Sequence, residues 1–308
     1  MRILRIGTRG SLLAKWQAEW VRKQLFAKTG VEAEIVIIKT SGDKLQTSSL
    51  SQIGGKGIFV KELEEALLDE TVDLAVHSVK DVPTEVPSRL MFPAVCRRED
   101  VRDCLVGAKG TTLASLRQGA RVGTGSLRRQ AQLRHLRADL DVRDLRGNVD
   151  TRLRKVESGE YEAVMLAKAG LDRLGMSERI TEVMQPENFL PAVGQGAIAV
   201  ECRLRDTEAG DLLGGLDDAE TRAGIIAERA LLGAVQGGCQ VPLGAWARVE
   251  RGELVMEACV CSVDGTQYVR QRAAAPPDKA AELGQHMAQL LAEAGAREIL
   301  EEVSRQRE

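Results

Sequence analysis

Short apolar runs alternate with helical periodicities along most of this chain, and that alternation restricts the fold more than any other feature. Residues 2–6 alternate basic and apolar and read as a strand, which Gly7-Thr8-Arg9-Gly10 then turns. Ser11 is placed to cap a helix with Leu13, Trp16, Trp20 and Val21 at helical spacing, and Gly30 suits its exit. Ile35-Val36-Ile37-Ile38 reads as a buried strand. Residues 40–57 form a polar loop holding Gly54-Gly55-Lys56-Gly57, and a helix follows with Phe59, Leu63, Ala66 and Leu67 on one face. The run from Asp73 to Ser78 is the next strand. The order β-α-β-α-β predicts a parallel sheet with right-handed crossovers.

After a strand over residues 90–95, the charged run Arg97-Arg98-Glu99-Asp100 reads as a linker, and a second β/α pattern begins. It comprises strands at 103–106, 121–124, 140–145 and 162–167, helices at 126–136 and 148–157, and short helices to about 184. Ile198 to Glu201 is one more apolar strand, a candidate to return to the first sheet. Two crossings between two α/β lobes would make a hinged cleft. From 219 to 235 a helix leads to Gly237-Gly238-Cys239-Gln240-Val241-Pro242. Strands near 243–249, 253–262 and 266–272 follow, with Asp264-Gly265 as a hairpin signal and a closing helix over 278–292. The expectation is therefore α/β: a first lobe of residues 1–98 and 197–217, a second of 99–196, and a smaller α+β domain of 218–308.

Composition excludes several classes. The 308 residues carry a net charge of −2, so no global attraction to nucleic acid or an anionic membrane is expected, and 3% aromatic residues leave little for base stacking. No run reaches the length of a membrane span, the N-terminus lacks a signal-peptide layout, and the six cysteines show no zinc or Cys-x-x-Cys spacing. A cytoplasmic protein with free thiols is expected, and a monomer, as no heptads are visible.

Two features carry chemistry. Lys80 and Asp81 follow an apolar strand and precede Val82-Pro83, where an open parallel sheet binds ligands. They are either a site at a cleft rim or a turn with two solvated charges. Residues 121–154 hold nine arginines and four aspartates, a local excess of five positive charges in a slightly acidic chain. Thr124-Gly125-Ser126-Leu127-Arg128-Arg129 and Arg146-Gly147-Asn148 each follow a strand and open a helix, with Arg152 one turn further. Helix N-termini favour anions, and arginine adds bidentate recognition of carboxylate or phosphate. The alternative is a solvated basic face, to which Arg134 and Arg137 are assigned. Arg9 and Ser11 repeat the placement after the first strand, and Lys56 sits in a glycine loop that is no Walker motif. Cys239 falls on a glycine turn between domains, whereas Cys96, Cys104, Cys202, Cys259 and Cys261 lie in apolar strand-like contexts and are expected to be buried and inert. His77, His135 and His286 form no metal set.

The stretches His77-Ser78-Val79-Lys80-Asp81-Val82-Pro83, Gly123-Thr124-Gly125-Ser126-Leu127-Arg128-Arg129-Gln130, Leu145-Arg146-Gly147-Asn148-Val149, Leu190-Pro191-Ala192-Val193-Gly194-Gln195-Gly196 and Gly237-Gly238-Cys239-Gln240-Val241-Pro242 resemble the porphobilinogen deaminase (hydroxymethylbilane synthase) family. The resemblance runs from Arg5 to the C-terminal helix. It implies three domains, the first two like a periplasmic binding protein. It implies a transferase of tetrapyrrole (haem) biosynthesis that joins four porphobilinogens head to tail, with loss of ammonia, into hydroxymethylbilane. It also implies a dipyrromethane cofactor on a thioether to Cys239, and a product passed to uroporphyrinogen-III synthase. Residue by residue, Asp81 falls on the catalytic aspartate. Arg9, Ser11, Lys80, Arg128, Arg129, Arg146 and Arg152 fall on cofactor- or substrate-carboxylate positions, with Thr124, Ser126, Arg173 and Gln195 beside them. Gly125 departs from the expected serine. Two competing classes are a non-catalytic binding module closing on a carboxylated ligand and a nucleic-acid binder using the arginines.

Overall fold

The computed structural model describes residues 3–40, 60–235 and 241–305. The chain divides into two compact units, one of residues 1–99 and 196–222, the other of 100–195 and 223–308.

The first unit opens with β1 (Leu4–Arg9), α1 (Leu12–Thr29) and β2 (Ala33–Ile38). Ser11 caps α1 by accepting from the Ala14 N–H, and Gly30 ends it at φ +69°, as their sequence positions predict. Then come α2 (Lys61–Leu68), β3 (Leu74–Ser78) and β4 (Leu90–Val95). β1 pairs in parallel with β2 and β3, as the β-α-β-α-β order requires. The sheet order is β2-β1-β3-β10-β4, where β10 (Ile198–Arg203) returns from later in the chain and runs antiparallel to both neighbours. The sheet is thus mixed rather than parallel, because β10 alone runs against the direction of the other four strands. One core joins Ile6, Leu74, Val76 and Val200 to Ala18, Val21 and Leu25 of α1. Leu63 and Leu67 of α2 pack with Ala75 in a second cluster. Sheets covered on both sides read as continuous apolar runs, which is how β3 reads. An unpredicted helix, α6 (Thr207–Gly214), follows β10 with Asp206 as its cap.

The second unit contains β5 (Asp103–Gly107), β6 (Arg121–Gly123), α3 (Leu127–Leu136), β7 (Asp141–Arg143), α4 (Val149–Glu157), β8 (Ala163–Ala167), α5 (Lys168–Arg173) and β9 (Glu182–Val183). Their sheet order is β7-β6-β8-β5-β9. The rest of the unit is α7 (Ala219–Ala234, beginning just before the division), then the antiparallel sheet β11 (Leu243–Glu250), β12 (Glu253–Cys261) and β13 (Tyr268–Ala275). Helix α8 (Ala280–Leu291) and, beyond a kink at Gly295, α9 (Arg297–Arg305) pack on that sheet through Leu283, Met287, Leu291 and Ile299. Buried Glu228 of α7 accepts from the Gly194 N–H (2.7 Å) and the Ala247 N–H (2.8 Å), tying the end of the β/α part to the antiparallel sheet.

Candidate active site

In the first unit the C-terminal ends of β1 and β3 lie side by side. Arg9 closes β1 and Ser11 caps α1 just beyond it. Past β3 the chain makes a 3-10 turn, Val79–Asp81. Val79 and Val82 are each 4% exposed, so apolar burial pins both sides of the turn and leaves Lys80 and Asp81 half-buried at the sheet edge. The Val79 N–H donates to the Ala197 carbonyl (3.1 Å), and Gln17 of α1 donates to the Ser78 hydroxyl (2.8 Å). Four of the predicted residues, Arg9, Ser11, Lys80 and Asp81, therefore come to one edge on rigid supports. Behind them His77 meets Glu201 at 2.9 Å, edge-on to Phe92. Burial, then the Glu201 charge, push the nearby Glu64 carboxyl up to about 7.

In the second unit the parallel neighbours β6 and β7 each deliver a loop to the same edge. Thr124-Gly125-Ser126 opens α3. The Thr124 hydroxyl accepts from the Ser126 N–H (3.2 Å), and Ser126 caps the helix on the Arg129 N–H. Gly147, at φ +104°, turns the neighbouring loop into α4, whose cap position, Asn148, makes no side-chain hydrogen bond to the helix. Arg146 pairs with Asp144 through Nε (3.0 Å), and Arg152 donates to the Gly147 carbonyl (2.8 Å). A Cβ on Gly125 would lie 2.9 Å from the Leu145 carbonyl oxygen and 3.1 Å from Asp144 Oδ1. The departure from serine is thus accommodated by a neighbouring loop packed too close for a side chain.

Arg128, Arg129 and Gln195 converge on a residue the sequence reading passed over, Asp103. It is fully buried at the start of β5. Arg128 Nη1 reaches Asp103 Oδ2 at 2.6 Å and the Leu190 carbonyl at 2.7 Å. Arg129 Nη2 and Nε reach Oδ1 at 2.6 and 3.0 Å, and Gln195 Nε2 reaches it at 2.9 Å. Burial would push the Asp103 carboxyl up, but the Arg128 and Arg129 charges more than offset it and hold the group well below the usual carboxylate range. Burial lowers Arg128 from its ordinary value, with Asp103 opposing. The signal that could have found Asp103 is a lone acid opening an otherwise apolar strand, Asp103-Cys104-Leu105-Val106. Arg173 closes α5, buried.

Two arginines assigned to a solvated face are only half-exposed and give donors to the main chain. Arg134 donates to the carbonyls of Val263 (2.7 Å) and Val142 (3.1 Å), and Arg137 to those of Leu113 (2.5 Å) and Leu116 (2.9 Å) as well as to Asp139. They hold main-chain carbonyls because loops, one of them from the antiparallel sheet, pack against the end of α3. The thiols of Cys96, Cys104, Cys202, Cys259 and Cys261 are buried. Burial pushes Cys104 and Cys261 up to about 12 and Cys202 up to about 11, so they are poor nucleophiles. Cys239, Lys56 and most of the 40–57 loop lie outside the described residues. No group of described residues could hold a metal ion, and no described helix is long and apolar enough to cross a membrane.

One unit of this α/β protein sets Arg9 and Lys80 at a strand-end edge with the half-buried Asp81, and the other sets arginines at helix N-termini; both are equipped to hold anions, and the first also to move protons. A family model described as "Porphobilinogen deaminase, dipyromethane cofactor binding domain" matches residues 4–211, and "Porphobilinogen deaminase, C-terminal domain" matches 223–293. The chain belongs to the porphobilinogen deaminase family. It is similar to the porphobilinogen deaminase of Syntrophobacter fumaroxidans, 47% identical over 99% of each chain. It is 50% identical to that of Syntrophotalea carbinolica, over 96% of this chain and 95% of the relative. Among solved structures, a periplasmic substrate-binding protein of an ABC transporter from Coxiella burnetii aligns at a TM-score of 0.44 and 14% identity, covering 70% of this chain and 92% of the other.

Proposed function

We propose that this chain polymerises four porphobilinogens head to tail, with release of ammonia, into hydroxymethylbilane for tetrapyrrole and haem biosynthesis. The reaction is primed by a dipyrromethane held through a thioether to Cys239. The observation that carries this reading is the full-length relation at about half identity to porphobilinogen deaminases, 47–50%.

The donor set suits such a group. Each pyrrole unit bears an acetate and a propionate, and the chain answers with Arg9, Lys80, Arg128, Arg146 and Arg152 at strand ends and helix N-termini. Arg128 Nε is buried with no hydrogen-bond partner among the described residues, a donor left for an anion. When bound, the dipyrromethane supplies the pyrrole end on which the product is built.

The chain's own residues then act as follows. Asp81 places its carboxylate beside a pyrrole N–H, stabilises the positive charge that develops as ammonia leaves, and moves the proton. Its neighbour Lys80 binds a carboxylate. Arg9, Ser11, Thr124, Ser126, Arg128, Arg146, Arg152 and Arg173 hold or orient carboxylates, with Arg129 and Gln195 supporting them from behind. We assign three domains, 1–98 with 197–217, 99–196, and 218–308. The protein acts as a monomer in the cytoplasm and passes its product to uroporphyrinogen-III synthase.

The test is an intact-mass spectrum under denaturing conditions with peptide mapping. The expected result is an added dipyrromethane mass on the peptide holding Cys239. A bare chain that neither gains mass nor releases ammonia on incubation with porphobilinogen would make the protein a binding module instead.

A further inference from the structure

We propose that Asp103 is a positioning residue: it aims the Arg128 guanidinium at a carboxylate of the pyrrole ligand, while Arg129 and Gln195 brace Asp103 rather than touch the ligand. The proposal rests on the enzymatic reading above and assigns a role to a residue outside the predicted site.

The two oxygens of Asp103 have different tasks. Oδ1 receives three donors, Arg129 Nη2 (2.6 Å), Gln195 Nε2 (2.9 Å) and Arg129 Nε (3.0 Å). The braces are themselves tied to main chain: Arg129 Nη1 to the Met165 carbonyl at 3.0 Å, and Gln195 Nε2 to the Val101 carbonyl at 2.7 Å. Oδ2 serves Arg128, at 2.6 Å. One oxygen is anchored and the other presented. Arg128 is gripped on its Nη1 edge by Oδ2 and the Leu190 carbonyl, and its guanidinium carbon lies 5.8 Å from the centre of the Phe189 ring. Held on that edge, the guanidinium keeps a buried Nε with no hydrogen-bond partner among the described residues.

The charges agree with this division. Two buried guanidiniums face one buried carboxylate, so among the described residues the cluster keeps one positive charge. A cluster built only to hold the fold would be closed on itself, since a buried charge without a partner is costly. A surplus charge together with an unpartnered buried donor is what a site awaiting one carboxylate requires. Arg129 spends its Nε and both terminal nitrogens on protein acceptors, so it contributes charge and support.

The experiment compares wild type with Asp103→Glu and Asp103→Asn in steady-state kinetics on porphobilinogen, with rates normalised to the adduct-bearing fraction found by intact mass and with thermal melting as the check of fold. Asp103→Glu keeps the charge but moves the presented oxygen by about one C–C bond, ~1.5 Å. It is expected to melt within a few degrees of wild type and to raise KM at least tenfold, with kcat changed less than threefold. Asp103→Asn is expected to raise KM further or to lack the adduct. A purely structural aspartate would lower the melting temperature or the folded yield while leaving KM intact. KM within twofold of wild type in either folded variant, or failure of both variants to fold, overturns the proposal. Wild type with neither adduct nor ammonia release overturns the enzymatic reading itself, and this proposal with it.

Discussion

Asp81 is half-buried on a turn whose flanking valines are almost wholly buried, so its carboxylate is held in place by packing it does not itself provide. Replacing it should therefore leave the fold alone. Asp81→Ala is expected to lower kcat by about 10²–10⁴-fold, the span of a positioned proton-transfer group, with an unchanged melting curve. Turnover close to wild type would remove it from the chemistry. Gly125 is constrained differently, by the Leu145 carbonyl where a Cβ would go. Gly125→Ser should cost about 1–3 kcal/mol, as overpacking against backbone does. Urea unfolding reads this directly, and a serine accepted at no cost would show that the Leu145 loop gives way. The motif containing Gly125 was legible in the sequence. The reason for the glycine was not, because it lies in a loop twenty residues away.

At the scale of elements, the arginines of the 121–154 region separate by which end of a helix they occupy. Arg146 and Arg152 stand at the N-terminal end of α4, where an anion is favoured, and Arg137 stands at the C-terminal end of α3, where it donates to the Leu113 and Leu116 carbonyls of a neighbouring segment. The expected effects of two substitutions differ accordingly. Arg146→Leu should impair adduct formation or elongation while changing stability by no more than about 1 kcal/mol, since its ion pair with Asp144 is partly solvated. Arg137→Leu should leave kinetics near wild type per folded molecule but cost about 1–3 kcal/mol, because it strands hydrogen-bonding groups. Chemical denaturation and adduct mass on the same preparations separate the two. Equal effects on adduct formation would mean a diffuse basic surface. In sequence both residues were arginines in one basic stretch, and only the carbonyls they meet distinguish them.

At the scale of the whole molecule, the chain passes between its two units near residues 99, 195 and 222, and each unit carries its own buried charge arrangement with its own pH response. In the first unit, Glu64 is raised to about 7 by burial and by Glu201. Its folded pKa lies above its ordinary value, so the neutral form stabilises the fold at low pH, and that contribution is lost as pH rises through about 7. Urea unfolding of wild type and Glu64→Gln from pH 5 to 8 should show wild type losing ground to the variant up to about pH 7 and then running parallel; a constant difference would contradict the shift. In the second unit the Asp103 carboxyl is depressed, so its contribution is present above the ordinary carboxylate range and lost only in strong acid.

The sequence by itself determined the alternation of strands and helices, the caps at Ser11 and Gly30, the motifs that mark the family and the burial of the five strand thiols, because periodicity, capping and local apolarity are properties of neighbouring residues. Only the tertiary structure decided that β10 runs antiparallel between β3 and β4, that Arg134 and Arg137 hold carbonyls, and that Arg128, Arg129 and Gln195 close on Asp103. Strand direction, hydrogen-bond partners and buried counter-charges depend on which distant segments pack together, and side chains 25 to 92 positions apart in sequence meet around that one carboxylate.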